Sequence, residues 1–376
     1  MTKRNLRIAI IGAGMGGLAA AATLRRAGID VRVYEQAKSF ARIGSGIQQS
    51  ANALRVLRAI GVEDRVRRVA FQPRSWVNRE WDSGALKFEL PLGAEFEARY
   101  GAPYLLLHRG DLHAALSSAL PAELIEMNRR LTGLKQNGSE VTLEFADGGP
   151  AEADGVIGAD GVHSVVRATL FGPEAPVFTG RVAYRTTFPA ALLAGAKIDD
   201  CTKWWGPDRH IVIYYVTPQR DELYFVTSHP EPEWRDESWS AKGDLGQLRK
   251  TFQGFHPQVQ SVLNACPDVH KWALYERDPL PAWCADRVVL LGDACHPMLP
   301  YMAQGAANAL EDAAVLARCL EGAGSDGIQS AFARYEATRK PRTSSIQLTS
   351  RRNEWMSTRT DPDWVYGYDA WSVPLA

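Results

Sequence analysis

An apolar run near the start of the chain changes to a glycine-rich turn and then to a helical pattern. Residues 6–11 are largely apolar and rich in isoleucine, and the sequence GAGMGG follows them directly at 12–17. An alanine- and leucine-rich stretch then covers 18–27, and a second apolar run covers 31–35. This order predicts a strand, a tight turn, a helix and a second strand, as at the start of a parallel α/β sheet.

The residue types in this turn are those that a dinucleotide site requires. Gly12 permits the tight turn, Gly14 lets the backbone approach a pyrophosphate, and Gly17 lets the helix pack closely on the strand. The helix N-terminus favours the phosphate charge. Glu35 lies 18 residues after Gly17, close to the spacing of a ribose-binding carboxylate. We therefore predict one Rossmann-type dinucleotide site, with a plain glycine-rich βαβ unit as the alternative.

A different pattern, with a period of two, characterises residues 210–215 (HIVIYY). As a strand, this segment places His210, Val212 and Tyr214 on one face and the intervening residues on the other. We predict a half-buried antiparallel surface whose one face directs a histidine and a tyrosine at a ligand. The alternative is that both are core residues of a sheet. Farther along, residues 329–351 predict a C-terminal helix interrupted at Pro341.

Composition limits the possible classes of protein. The 376 residues exceed the size at which single cores stop growing, so we predict two interlocked domains. Lys plus Arg and Asp plus Glu are both 43, which leaves no overall field to recruit nucleic acid or an anionic membrane. No stretch approaches the roughly 20 apolar residues of a membrane span, and no signal-peptide pattern is present. The prediction is a cytoplasmic protein.

Cysteine usage points to neither disulfides nor zinc. The five cysteines are an odd number and are scattered without CxxC or Cys/His metal spacing. We therefore predict reduced thiols and no metal site. The sequence also has no HExxH or GxSxG motif, so neither a zinc-dependent nor a serine nucleophile mechanism is indicated.

Three motifs taken in order identify a family. The turn at 12–17 is followed by GADGVHSVVR at 158–167, then by GDACHP at 292–297 and QGAANALED at 304–312. Singly, each of these motifs could be an ordinary strand-to-helix turn with a solvated acid. Together they resemble the class A flavoprotein monooxygenases, which include the p-hydroxybenzoate and salicylate hydroxylases. The resemblance extends from residue 7 to about residue 371.

This resemblance implies non-covalently bound FAD, with NADH or NADPH, O2 and a small aromatic acid as co-substrates. The turn glycines and Glu35 are similar to the ADP-binding part, and Asp293 to the acid that holds the flavin ribityl chain. The first residues of the helix that begins at Gly305 are similar to those that provide backbone N–H donors to the isoalloxazine ring. Asp160 belongs to the Asp-Gly motif, which in this family is linked to both FAD and NAD(P)H function, and Arg167 is a second candidate for that role. The implied cofactor-binding residues are Gly12, Gly14, Gly17, Glu35, Arg109, Asp160, Asp293, Gly305, Ala306 and Ala307.

The expected fold combines α/β and α+β parts. A Rossmann-type FAD-binding domain (1–70, 100–175 and 275–325) interleaves with a mostly antiparallel-sheet substrate domain (71–99 and 176–274). A C-terminal helical segment covers 326–376. Whether the protein is a monomer or a homodimer stays open at this point.

Within the class, several segments are similar to the 6-hydroxynicotinate 3-monooxygenases, which hydroxylate a pyridine carboxylate with loss of CO2. Among them are CTKWWGPDRH at 201–210 and DWVYGYD at 363–369. By this resemblance His210 and Tyr214 are catalytic and act on the ring hydroxyl. Two histidines of the pattern are replaced here, by Gln48 and Tyr301. The implied substrate-binding residues are Gln48, Cys201, Thr227 and Tyr301.

The two replacements keep other substrates open. The alternatives are a salicylate-type or a 6-hydroxy-3-acylpyridine hydroxylase. Rivals from other classes are an FAD oxidase, which would not consume NADH, and a non-catalytic flavoprotein, which would bind FAD without turnover.

Overall fold

The structure is a computed structural model that describes residues 5–42, 45–234 and 241–376. The strands are β1 (Arg7–Ile11), β2 (Asp30–Tyr34), β3 (Gly46–Gln49), β4 (Ser75–Glu80), β5 (Leu86–Pro91), β6 (Leu105–His108), β7 (Ile125–Glu126), β8 (Leu131–Asn137), β9 (Glu140–Phe145), β10 (Ala151–Ala153), β11 (Gly155–Gly158), β12 (Val177–Pro189), β13 (Cys201–Trp205), β14 (His210–Tyr215), β15 (Glu222–Pro230), β16 (His270–Glu276), β17 (Cys284–Ala285) and β18 (Val288–Leu290). The α-helices are α1 (Met15–Arg26), α2 (Ala51–Ile60), α3 (Glu63–Val69), α4 (Ala94–Tyr100), α5 (Arg109–Ser117), α6 (Val165–Phe171), α7 (Leu245–Thr251), α8 (Pro257–Ala265), α9 (Gly305–Leu320), α10 (Ile328–Arg351) and α11 (Asp363–Tyr366).

A six-stranded sheet, in the order β17-β18-β11-β1-β2-β7, contains the glycine turn. Its central strand β1 pairs in parallel with both β2 and β11, and β11 pairs in parallel with β18. These strands are short apolar runs because helices cover both faces of a parallel sheet. β11 and β18 are buried along their whole length.

A seven-stranded sheet, in the order β16-β12-β15-β14-β13-β4-β5, forms the second large layer. Its pairs are antiparallel except for β13 with β4. All six residues of β14 are buried, so the prediction of a half-buried surface there is wrong. The second face is covered because Trp204, the cross-strand partner of Ile211, stacks on His256 at the start of α8.

Two smaller sheets complete the fold, β10-β9-β8 and the antiparallel pair β3-β6. In the β3-β6 pair, Gln48 lies opposite Leu106. The combination of a Rossmann-type parallel sheet, a mostly antiparallel sheet and a C-terminal helix confirms the predicted fold class. The domain boundaries given above stay a prediction.

The C-terminal helix α10 runs unbroken from Ile328 to Arg351 with Pro341 inside it, so the predicted interruption is wrong. Proline removes one backbone donor and strains the preceding turn. Contacts on both sides of the proline outweigh that cost. Arg339 forms buried ion pairs with α9, and Thr343 donates to the carbonyl of Arg339 across the proline. Among the helices of the described residues, none is long and apolar enough to cross a membrane.

Candidate cofactor and substrate site

The glycine turn is closely packed at two positions and open at a third. Gly12 has φ +100°, and a Cβ there would lie 2.5 Å from the carbonyl oxygen of Ala159. A Cβ on Gly17 would lie 2.0 Å from the carbonyl oxygen of Gly12. A Cβ on Gly14 would meet nothing within 4 Å. The first two glycines therefore serve packing, whereas Gly14 leaves space in front of the helix.

The helix α1 begins next to this open space without a side-chain cap. Its first N–H groups have no partner within the helix and carry the positive end of the helix dipole. Glu35 braces the turn, because its carboxylate accepts from the N–H of Ala13 and of Ala37, both at 2.8 Å. The arrangement favours a phosphate group in front of Gly14.

Asp293 follows β18 in a short 3-10 turn, Gly292–Ala294. Its side chain is exposed, and within the described part of the chain no hydrogen bond reaches its carboxylate. Protein atoms around the carboxyl raise its pKa, although the charges of His296 and Arg109 oppose the shift. We call the space in front of Gly14, Asp293 and the start of the helix at Gly305 the groove. An acid without a partner in a groove can accept hydrogen bonds from a ligand's hydroxyl groups.

The helix α9 begins beside Asp293. A Cβ on Gly305 would lie 3.9 Å from Oδ1 of Asp293. The preceding residue, Gln304, does not cap the helix with its side chain. The N–H groups of Gly305, Ala306 and Ala307 therefore lack intrahelical partners, and their role as donors to the flavin stays a prediction.

A buried amide network holds the start of α9. Nδ2 of Asn52 donates to Oε1 of Gln304 at 3.0 Å and to Oε1 of Glu311 at 2.6 Å. The amide of Gln304 also donates to Ser50 Oγ at 3.0 Å. Sequence reasoning missed these residues, although a polar Asn52 within the apolar helix α2 was a usable signal. The network fixes where the free donors of α9 point.

An ion network lies beneath the same helix. Arg339 pairs with Glu311 and with Asp312, both at 2.7 Å, and all three side chains are fully buried. Nε2 of His296 lies 2.5 Å from Oδ2 of Asp312, which also accepts from the N–H of Gly292. His296 therefore contacts this network. The network thus connects the turn of Asp293 to α9 and α10.

Asp160 and Arg167 connect two of the sequence motifs. The Asp160 carboxylate accepts from Ser164 Oγ at 2.6 Å and from the N–H of Val166 at 3.1 Å, while burial raises the pKa of Asp160. Arg167 is buried and donates to the carbonyls of Ala294 and Val162. Arg167 therefore positions the turn that carries Asp293.

Arg109 starts α5 with an exposed side chain, and its N–H donates to the carbonyl of Ser45 at 2.9 Å. The guanidinium is close enough to Asp293 to favour its charged form. The predicted role of Arg109 beside the cofactor stays a prediction.

A pocket opens on one face of the seven-stranded sheet. Cross-strand register places His210 opposite Trp205 and Ser228, and Tyr214 opposite Cys201 and Tyr224. The segment 300–303 and the C-terminal segment close the pocket with apolar and aromatic walls. The pocket is lined by Gln48, Trp76, Tyr104, Lys203, His210, Val212, Val226, Thr227, Pro300, Tyr301, Met302, Ala303, Trp355, Met356 and Tyr366.

The first of two clusters of polar side chains on this face surrounds His210. The His210 ring packs edge-on against Tyr301 at 5.5 Å, and the Tyr301 hydroxyl lies 2.9 Å from Ser228 Oγ. Nδ1 of His210 lies 3.4 Å from the Asn353 amide. Burial lowers the pKa of His210 well below its usual value, and the charge of Arg181 adds to that shift. The imidazole is therefore neutral at physiological pH.

The second cluster of polar side chains surrounds Tyr214. The Tyr104 hydroxyl donates to Oε1 of Gln48 at 2.5 Å. Burial raises the pKa of Tyr214 well above its usual value, and the nearby Gln48 side chain opposes the shift. Cys201 is fully buried next to this cluster. Val212 separates the two clusters along the strand.

Thr227 borders the pocket in a different way. Its strand register with Ile211 places it on the opposite face of the sheet from His210. Its hydroxyl accepts from the N–H of Tyr184 at 2.9 Å. Ser228, directly opposite His210, shares its face. The substrate role predicted for Thr227 stays untested, and sequence reasoning missed Ser228, Tyr104 and Lys203.

Comparison with known proteins identifies the family. Residues 5–349 match the family described as FAD binding domain. The chain belongs to this family. It is a class A flavoprotein monooxygenase, which confirms the resemblance read from its motifs. Its cofactor is FAD.

The monooxygenase resembles named relatives over almost its whole length. It is 49% identical over 371 residues to a 6-hydroxynicotinate 3-monooxygenase of Bordetella bronchiseptica, covering 98% of this chain and 97% of that one. It is 47% identical over 371 residues to a 6-hydroxynicotinate 3-monooxygenase of Pseudomonas fluorescens, covering 98% and 96%. Among solved structures, Klebsiella pneumoniae HpxO in complex with FAD and uric acid is 26% identical, with a TM-score of 0.84 over 96% of this chain and 90% of that one.

The residues of the groove fit FAD. Gly14 leaves room for the pyrophosphate, the α1 and α9 N-termini provide N–H donors that have no partner within their helices, and Asp293 provides an acceptor that none of the described residues hydrogen-bonds. FAD carries two phosphates, a hydroxylated ribityl chain and a ring with hydrogen-bonding edges, which match these donors and acceptors. The assignment of individual residues to parts of FAD stays a prediction.

Proposed function

We propose that this monooxygenase hydroxylates 6-hydroxynicotinate at the carboxyl-bearing carbon and releases CO2, giving 2,5-dihydroxypyridine at the expense of NAD(P)H and O2. The observation that carries the proposal is the 49% and 47% identity over almost the full chain to two enzymes of that name. The pocket supports it, because polar groups stand at both ends of an otherwise apolar surface. A flat ring with a polar substituent at each end matches this distribution.

Bound FAD supplies the chemistry that transfers oxygen to the ring. The ring itself must be electron-rich, which requires its hydroxyl to lose a proton. We propose that His210 and Tyr214 act on that hydroxyl, one by direct contact and the other from the far end of the ring, because Val212 separates them along β14. The neutral His210 imidazole can accept a proton, and Tyr214, beside the hydrogen-bonded pair Gln48 and Tyr104, can orient and share one.

The walls of the pocket exclude water. Trp76, Tyr104, Trp355 and Tyr366 place aromatic rings around the ligand space, and Met302 and Met356 fill the gaps between them. Hydroxylation depends on this exclusion, because water in the site diverts reduced flavin and O2 to H2O2.

A second candidate substrate class comes from Gln48 and Tyr301. Both are buried and hydrogen-bonded, but neither can carry the positive charge that a histidine can. A salicylate-type or 6-hydroxy-3-acylpyridine substrate would place different substituents against these two side chains.

A panel of hydroxylated pyridine and benzene carboxylates tests the proposal. Each compound is scored for stimulation of NADH and NADPH oxidation, for H2O2, for CO2 and for the isolated product. The expected result is coupled conversion of 6-hydroxynicotinate with one CO2 released per product. A product that keeps its carboxylate excludes the decarboxylating reaction. Turnover without NAD(P)H indicates an oxidase, and no turnover with any compound indicates a non-catalytic flavoprotein.

We also propose that the enzyme works in the cytoplasm, as a monomer or a homodimer. Its five cysteines are free thiols, as expected in a reducing compartment where NAD(P)H is available. Fractionation of cells and light scattering of the holoenzyme test the two parts separately.

A further inference from the structure

Lys203 is a buried lysine in the wall of the substrate pocket. It lies on β13, opposite Val212 and beside Asn78 of β4. The residue is 2% exposed, and its side chain lines the same pocket as His210 and Tyr301. Lysine is almost never fully buried without a partner of opposite charge.

The contacts of the Lys203 amine are all uncharged. Nζ lies 3.5 Å from Oδ1 of Asn353 and 3.6 Å from the centre of the Trp205 ring. Across the residues that the structure describes, no carboxylate lies within ion-pair distance of Nζ, and the nearby charge that acts on it is that of Arg181, also a cation. Of the titratable groups facing it, His210 is neutral and Tyr301 keeps its proton, since burial raises the pKa of that phenol.

Two other buried cations of this protein pair with carboxylates. Lys271, on the same sheet and also 2% exposed, lies 2.5 Å from Oε1 of Glu231. Arg339 pairs with two carboxylates. Lys203 differs from both in having an amine that faces the ligand space.

Physical chemistry makes this arrangement unfavourable until an anion arrives. An isolated ammonium in a low-dielectric site loses its hydration, and it deprotonates instead of remaining charged. Burial accordingly lowers the pKa of Lys203 well below its usual value, and Arg181 adds to the shift. An anion beside Nζ would favour the charged form and supply the missing ion pair.

We propose that Lys203 is the counter-ion of the substrate, and that its Nζ receives an anionic oxygen of the bound aromatic acid. That oxygen belongs either to the carboxylate or to the deprotonated ring hydroxyl. The proposal rests on the proposed function only in taking the ligand to be an aromatic acid. Lys203 is then a specificity-determining residue, because a neutral ligand leaves its amine without a partner.

Ligand titrations of the holoenzyme without NAD(P)H test the proposal, since they involve no turnover. The probes are nicotinate (carboxylate only), 6-hydroxynicotinamide (ring hydroxyl only), 6-hydroxynicotinate (both) and nicotinamide (neither). Binding of each probe is followed by the change in flavin absorbance. Lys203→Met should weaken binding of the ligands that carry the relevant group by about 10- to 100-fold, the value of a charged hydrogen bond. Nicotinamide binding should change less than about threefold.

The pattern of losses identifies the oxygen. A loss of affinity for nicotinate assigns Lys203 to the carboxylate. A loss of affinity for 6-hydroxynicotinamide alone, which grows with pH, assigns it to the ring oxygen. Lys203→Arg keeps the charge and should retain part of the selectivity. An equal loss of affinity for all four probes, or no loss of affinity for any of them, overturns the proposal.

A matched control separates binding from folding. Lys271→Met also removes a buried amine, but it strands Glu231, so it should lower the melting temperature without changing ligand selectivity. Lys203→Met should not lower the melting temperature, because it removes an unpaired amine. If the wild-type enzyme binds none of the pyridines, benzoate, salicylamide, salicylate and benzamide replace them. The proposed substrate can then fail while the role of Lys203 is still decided.

Discussion

The Tyr104 hydroxyl donates to Oε1 of Gln48 over 2.5 Å, and the Gln48 side chain also lies close enough to Tyr214 to act on the pKa of its phenol. Gln48 thus joins a residue that precedes β6 to a residue of the seven-stranded sheet. The resemblance places a histidine at position 48. An amide in its place keeps the hydrogen bonds but cannot titrate near neutral pH.

The contact between Gln48 and Tyr104 should contribute to stability. Gln48→Leu leaves the buried Tyr104 hydroxyl without its acceptor and should lower the free energy of unfolding by about 1–3 kcal/mol. The double variant with Tyr104→Phe removes both partners and should cost less than the sum of the single changes. Urea unfolding of the four proteins measures the coupling, and strictly additive costs would show that the bond contributes nothing.

Replacing His210 or Tyr214 should damage hydroxylation more than flavin binding. General acid–base assistance is typically worth about 10²–10⁴-fold, so His210→Ala and Tyr214→Phe should slow product formation within that range. FAD content should stay normal, and uncoupled H2O2 should rise. If both variants hydroxylate at the wild-type rate with tight coupling, both are core residues, and the base must be sought among Cys201, Thr227, Tyr301 or ordered water.

Asp293→Ala should weaken FAD retention. Loss of a charge-assisted hydrogen bond costs about 1.5–3 kcal/mol, which corresponds to about a 10- to 150-fold rise in the FAD dissociation constant. Fluorescence titration of the apoprotein with FAD measures it. Asp278→Ala serves as control, because Asp278 is 84% exposed and pairs with Arg351. An unchanged affinity in Asp293→Ala would remove this residue from the site.

The purified protein should be yellow and carry one non-covalent FAD. The groove holds its donors and acceptors on backbone N–H groups and a carboxylate, which bind without covalent attachment. Acid precipitation should leave the flavin in the supernatant. Flavin that stays with the denatured chain would contradict this.

The buried network at α9 should make stability fall in acid. Burial alone would raise the carboxyl pKa values of Glu311 and Asp312. The charges of Arg342 and Arg339 instead lower the pKa of Glu311. The charges of His296 and Arg339 lower that of Asp312. A carboxyl whose pKa is lower in the folded than in the unfolded protein stabilises the folded state at pH values above its unfolded pKa, about 4. This contribution is lost as the pH falls through the folded-state pKa. Urea unfolding of the wild type between pH 7 and 3 should show the decline.

Removing the central cation of that network should be costly. Arg339→Met leaves buried carboxylates uncompensated and should lower the free energy of unfolding by about 3–5 kcal/mol at pH 7. The loss should shrink in acid, where protonation removes the uncompensated charge. Arg334→Met, an exposed change on the same helix, should stay within about 0.5 kcal/mol. Equal effects of the two changes would show that the network does not stabilise α9.

Local patterns in the sequence determined the nucleotide turn, the order of the elements and the family. Gly12 and Gly17 are required by contacts within one βαβ unit, so their spacing is visible in a short window. The shared face of His210 and Tyr214 likewise follows from the period of a single strand.

Tertiary structure alone decided the rest, because burial and charge pairing join residues far apart in the chain. The burial of both faces of β14 depends on Trp204 and α8, and the unbroken α10 depends on ion pairs with α9. Nothing in the sequence around Lys203 shows that its amine lacks a counter-ion. That property depends on which side chains of other strands and of the C-terminal segment face it, and only the folded chain brings them together.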